Sequence, residues 1–165
     1  MKKIYSFLVL VCFSVHIVAA TSTLNSQLDP SYVYAEPTTI VAPNQTVQGA
    51  AYDFISNNIA VSCTKGAITQ SATPYFSAHA NYALTFTATK PIKGIRINGF
   101  VKAGFTATVD NGIVTYISPA EVTEANPVVV ITDINNTSVT LSCVKQLRCY
   151  SVEFYFESNP DITTQ

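Results

Sequence analysis

The side chains that could carry out chemistry are few, and their spacing limits what they can do. Beyond the first twenty residues the chain holds one histidine, His79, in the run Ser77-Ala78-His79-Ala80-Asn81. Ser77 and His79 are the right types for a nucleophile and its base. No glycine-flanked elbow surrounds Ser77, however, and two neighbours on one loop are poorly placed to form a triad. His79 therefore reads as a solvent-facing loop residue. Glycoside hydrolysis would need two facing carboxylates. They would come from Asp53, Asp110, Glu121, Glu124, Asp133, Glu153 or Glu157, and nothing in the spacing singles out a pair. Asp110 is better explained as a turn residue. Asp133-Ile134-Asn135-Asn136 offers oxygen ligands, but its spacing matches no calcium loop, and Asx-rich turns have the same composition. One histidine and no Cys-x-x-Cys argue against zinc. The expectation is a chain that is not an enzyme and carries no metal or cofactor.

Binding is the chemistry that remains. Sugar rings stack on aromatic faces, while guanidinium and amide groups fix hydroxyl orientation. Along Ile92 to Lys102, alternation sends Ile95, Ile97 and Val101 one way and Arg96, Asn98, Phe100 and Lys102 the other. Phe100, flanked by Arg96 and Asn98, joins Tyr116 of the next hairpin in one candidate ligand-binding patch. Tyr75, beside Phe76 in a Pro-containing loop, is a second. Packing is the competing role for each, and the absence of tryptophan weighs against a sugar platform.

Three cysteines follow the leader, and an odd number leaves at least one thiol unpaired within the chain. Alternation places Cys63 inward with Ile59 and Val61, and Cys143 inward with Val139 and Leu141. Cys149 falls with the outward set Ser151, Glu153 and Tyr155. Cys63 and Cys143 thus read as buried, reduced thiols that behave as small apolar groups.

The elements that must position these residues are strands. The body is rich in Val, Ile, Thr, Tyr and Phe, with short alternating runs separated by Gly, Pro, Asn and Asp. Strands are expected near 31–35, 46–55, 58–63, 83–89, 92–102, 105–110, 113–118, 128–133, 138–143 and 149–156. In the last of these, Val152, Phe154 and Phe156 share one face, while Ser151, Glu153 and Tyr155 share the other. Around Asn111-Gly112, a three-residue loop with Gly112 left-handed would pair Val109 with Ile113 and keep the apolar residues together. Many short strands with turns between them predict an all-β fold, an antiparallel two-sheet β-sandwich of jelly-roll type.

The first residues set the compartment. Met1-Lys2-Lys3 is a positive start, Ile4 to Val18 is largely apolar, and Val18-Ala19-Ala20 offers small side chains for cleavage. Residues 1–20 read as a signal peptide, 21–30 as a flexible segment, 31–157 as the β-sandwich domain and 158–165 as a tail. Without the leader the basic residues fall from nine to seven against ten acidic ones, a net charge of −3. So sparse a charge excludes a nucleic-acid binder, which needs clustered Lys and Arg. No later stretch is long and apolar enough to span a membrane. The mature chain is expected to be secreted, periplasmic or held at the cell surface.

Three stretches carry a family resemblance: Ala51 to Ile59; Leu84-Thr85-Phe86 leading into Pro91 to Gly99; and Arg148 to Phe156. They resemble small secreted jelly-roll or β-sandwich modules of bacterial surface and polysaccharide-utilisation proteins. The resemblance implies attachment to glycan or to the surface and transfers no binding motif. The functional expectation is a non-catalytic module for carbohydrate binding or adhesion, its partner a glycan or an envelope protein. The alternative is a structural or protein-interaction domain of the bacterial envelope with no small-molecule ligand. N-terminal sequencing of exported material is expected to begin at Thr21, and a retained leader would contradict both the compartment and the domain limits.

Overall fold

The computed structural model describes residues 31, 33–101, 105–109, 112–113, 116–117 and 128–158, with side chains for all of these except 100–129. The leader, residues 21–30 and residues 159–165 lie outside the described residues. The described strands belong to one compact unit, Tyr32–Gln165. Among the described residues there is no helix, and eleven strands form one continuous antiparallel network. In chain order they are β1 (Thr38–Val41), β2 (Val47–Ser56), β3 (Ile59–Thr69), β4 (Tyr75–Ala78), β5 (Ala83–Val101), β6 (Phe105–Val109), β7 (Gly112–Ile113), β8 (Tyr116–Ile117), β9 (Val128–Ile131), β10 (Asn136–Cys143) and β11 (Leu147–Phe156).

β5 is the spine. The alternation predicts a break at Lys90-Pro91, but one strand of 19 residues runs through it. Pro91 offers no N–H to a ladder, and it sits where β5 changes partner. On one edge β5 is followed by β10 and then β9. On the other, β3 pairs as far as Ile59 opposite Ala88, and β11 takes over at Phe156 opposite Ile92. The proline thus falls in the interval where that edge has no partner strand.

The pairing closes on itself. β3 bonds β5 through 59–63 and β4 through 66–69; β4 bonds β11, and β11 returns to β5. β2 lies along the other edge of β3, and β1 continues the β4 side of β11. Two glycines permit the tightest approach. A Cβ on Gly66 would overlap the carbonyl oxygen of Ser77, and one on Gly99 would overlap that of Arg148.

Inside the circuit an aromatic chain links four strands. Phe54 meets Phe76 edge-on at 5.4 Å, Phe76 meets Phe86 at 6.4 Å, and Phe86 meets Phe154 at 5.2 Å. Such pairs add about 0.5–1.5 kcal/mol each to the burial of their rings. Ile95 and Ile97 are fully buried, as the alternation requires, and so are Val152 and Phe154.

Several elements depart from the expectations, each for a local reason. Cys149 is buried in the same core as Cys63 and Cys143, not on the outer face. Its partner is Gly99, while Ser151 pairs with Asn98, so Tyr150 is an extra residue that reverses the alternation. Tyr155 does lie opposite to Phe154, yet it is also buried, its hydroxyl donating to Glu153 at 2.9 Å. Where the sequence predicts a Pro-containing loop around Tyr75, the four residues Tyr75–Ala78 after Pro74 form the short strand β4. In place of a strand at 31–35 there is a single bridge from Tyr34 to Glu157, with β1 starting at Thr38. The expected pairing of Val109 with Ile113 is replaced by Val109 with Gly112 and Thr108 with Ile113. The face argument failed because 113–118 is not one strand: β7 pairs with β6, whereas β8 pairs with β9. Ser158, expected in the tail, donates its amide to Val33 at 2.7 Å.

Among the described residues the three thiols, Cys63, Cys143 and Cys149, are free and buried. Burial pushes Cys143 from 9.0 up to about 12, with Cys63 adding to the rise. Burial likewise raises Cys63 and Cys149. A group whose folded pKa lies above its unfolded value stabilises fully below the unfolded value and loses that contribution as pH climbs through the folded one. Stability should therefore hold to about pH 9 and fall toward pH 12, the interval set by Cys143. A thiol reagent at neutral pH should label the three cysteines only after denaturation; rapid labelling of native protein would contradict this packing.

Candidate functional site

The residues singled out from the sequence divide between two places. Arg96 lies on β5 opposite Glu153 of β11, and its guanidinium donates to that carboxylate at 3.0 Å. The same carboxylate accepts from Tyr155, a phenol whose pKa is raised by burial and then by Glu153. Arg96 is therefore held in an ion pair, half-buried, with its neighbours Asn98 also half-buried and Val130 buried. Tyr116 pairs with Ile131, and Phe100 pairs with Arg148; the side chains of both lie outside the described residues.

Tyr75 leads to the more developed cluster. It is the first residue of β4, and β4 runs beside the start of β11, with Ser77 opposite Arg148. The Arg148 guanidinium sits over the Tyr75 ring, 4.9 Å from its centroid. Tyr150 meets the same ring edge-on, with centroids 6.3 Å apart and planes at 84°. A cation over an aromatic face gains about 0.5–2 kcal/mol, the larger value where water is excluded. All three side chains are half-buried, so each keeps some surface in water. Tyr150 can join because it is the bulged residue of β11; bulges re-aim side chains in this way.

The sequence did not single out Arg148 and Tyr150. Alternation along β11 carries no mark of the bulge, and the Pro-containing stretch at Tyr75 predicts a loop, so nothing in the sequence places Tyr75 beside them. The structure also brings together what the sequence kept apart. Tyr75 on β4 and Phe100 on β5 belong to the two strands that flank Arg148.

Of the residues considered for catalysis, Asp110, Glu121 and Glu124 lie outside the described residues, and several of the others are engaged within the fold. Ser77 is buried, and its hydroxyl donates to the Ala67 carbonyl at 3.3 Å. His79 follows β4, with its amide bonded to the Lys65 carbonyl. Asp133 and Asn135 adopt left-handed backbone, φ 58° and 46°, and Asn136 accepts from the Ser138 amide at 3.0 Å. These are the marks of an Asx-rich turn. Glu157 pairs with Lys93 at 3.4 Å. Among the described residues no group of three or more His, Cys, Asp or Glu side chains is arranged to hold a metal ion, and no helix is long and apolar enough to cross a membrane.

No protein-family model matches the chain, and no curated protein is detectably similar to it.

Proposed function

We propose that this chain is a non-catalytic module, exported and displayed at a bacterial cell surface, that binds carbohydrate through Tyr75, Arg148 and Tyr150. In this reading its strands fold into two facing layers of jelly-roll type, like the secreted modules its sequence resembles. One observation carries the proposal: two half-buried tyrosine rings and a planar guanidinium meet on adjacent strands. Pyranose rings present apolar C–H faces and a rim of hydroxyls, and ring faces with a fixed fork of donors suit both. Arg96, held by Glu153, and Asn98 lie on β5, which pairs with the stretch of β11 carrying the cluster, and would line its flank.

A second reading rests on β2. Among the described pairings it bonds only β3, and Ile55 on it is 76% exposed, so its open edge could receive a partner strand. A glycan array separates the two. The native chain should be retained on at least one glycan class, and Tyr75→Leu and Tyr150→Leu should each weaken retention about tenfold, the ~1.4 kcal/mol expected for a ring face. Leucine keeps most of the apolar volume but loses the ring contacts, so the melting temperature should fall by no more than about 2–8 °C, with the fold retained. Retention on no glycan, or unchanged retention by both variants, would contradict the proposal.

A further inference from the structure

A cleft at the opposite end of β11 has the makings of a second site. It encloses about 290 Å³, between the start of β1, the β2–β3 turn, the 88–90 stretch of β5 and the end of β11. Its origin is the partner change in β5. β3 stops at Ala88 and β11 begins at Ile92, so residues 89–91 have no partner strand on that edge. The two strands diverge there and leave a gap in the ladder.

The walls of the gap are fixed. Asn57 and Asn58 form a two-residue turn with φ 49° and 62°, between Ser56 and Ile59, which pair. That is the hairpin connection whose twist matches the strands. Asn57 donates through Nδ2 to the Thr39 carbonyl at 2.7 Å, tying the turn to β1. The segment before β1 is tied to β11 by the Ala35 amide, which donates to the Phe156 carbonyl at 3.0 Å. Asn57 is thus committed to holding the turn, whereas Asn58 is exposed on the cleft wall.

We infer that this cleft binds a single pyranose unit, such as the end of a glycan chain. The floor is apolar, made by Ile59 and the half-buried Phe156, and the rim carries Glu36, Asn58, Thr89 and Lys90. Carboxylate, amide, hydroxyl and ammonium around an apolar floor complement a ring with polar edges and a C–H face. The volume lies at the lower limit of ligand pockets, about 300 Å³, which suits one sugar rather than a chain. Glu36 and Lys90 are exposed to water, so recognition of a zwitterion by charge would be screened, whereas hydroxyl recognition relies on geometry. The choice of a sugar rests on the carbohydrate reading above; the location does not.

The test is an amide-shift titration of the full exported chain with four probes: the methyl pyranosides of glucose, galactose, mannose and N-acetylglucosamine. At least one should shift the amides of Glu36, Asn58, Thr89 and Lys90 together. Asn58→Gly retains the left-handed backbone and removes the amide side chain. It should weaken that binding about tenfold with an unchanged melting temperature, and Tyr75→Leu should leave the binding intact. Failure of all four probes to move these amides would overturn the inference. Shifts confined to β4 and the start of β11 would also overturn it while leaving the carbohydrate reading standing. Glycine competing for the same amides more strongly than any sugar would overturn the choice of ligand.

Discussion

The close approach of four strands near Ser77 and Arg148 is the constraint on which the other features depend. Ser77 of β4 and Arg148 of β11 are paired, and β3 and β5 press on this pair from either side through Gly66 and Gly99. Any side chain at either glycine would meet a backbone carbonyl. Carbonyls in a ladder cannot swing aside without breaking their own bonds, so the strand itself would have to move. With hydrogen there, β4 fills the space between β3 and β11, and the ladder runs round from β3 to β5.

Both parts of the surface with functional potential follow from that closure. Tyr75 reaches Arg148 and Tyr150 only because β4 docks on β11. At the far end the same β11 gives way to β3 as the partner of β5, and the interval between them becomes the cleft. The interior answers to the closure as well. Phe76 on β4 meets Phe54 and Phe86, and Tyr52 donates to the Ser77 carbonyl at 3.0 Å, where Cys63 also approaches at 3.7 Å. Tyr52 and Cys63 thus share the Ser77 carbonyl as acceptor, which keeps the cost of burying these two donors low.

Much of the fold was legible in the period-two pattern because both long strands have one fully buried face. Ile95 and Ile97 on β5, and Val152 and Phe154 on β11, are where alternation puts them. Alternation cannot see an inserted residue, and so Cys149 appeared to face outward when the bulge at Tyr150 turns it in. Nor can it see a short strand such as β4, whose residues gain their pairing from β3 and β11 rather than from their own pattern. The candidate site was legible only in its types. Tyr75 stood out as an aromatic in a polar stretch, but its partners come from a segment more than seventy residues away. The cleft was not legible at all, because it arises from where two ladders end, a property of pairing and not of composition.

The closure is tested most directly by adding one methyl group. Within a strand, alanine is ordinarily preferred to glycine by roughly 0.5–1 kcal/mol, because glycine loses more backbone freedom on folding. Chemical denaturation of Gly66→Ala and Gly99→Ala should show the opposite sign. Each variant should lose about 1–3 kcal/mol, the usual cost of forcing an extra methyl into a packed interior. If both unfold at the same denaturant concentration as the native chain, or at a higher one, the tight approach of β3 and β5 to the Ser77–Arg148 pair is not what holds this structure together.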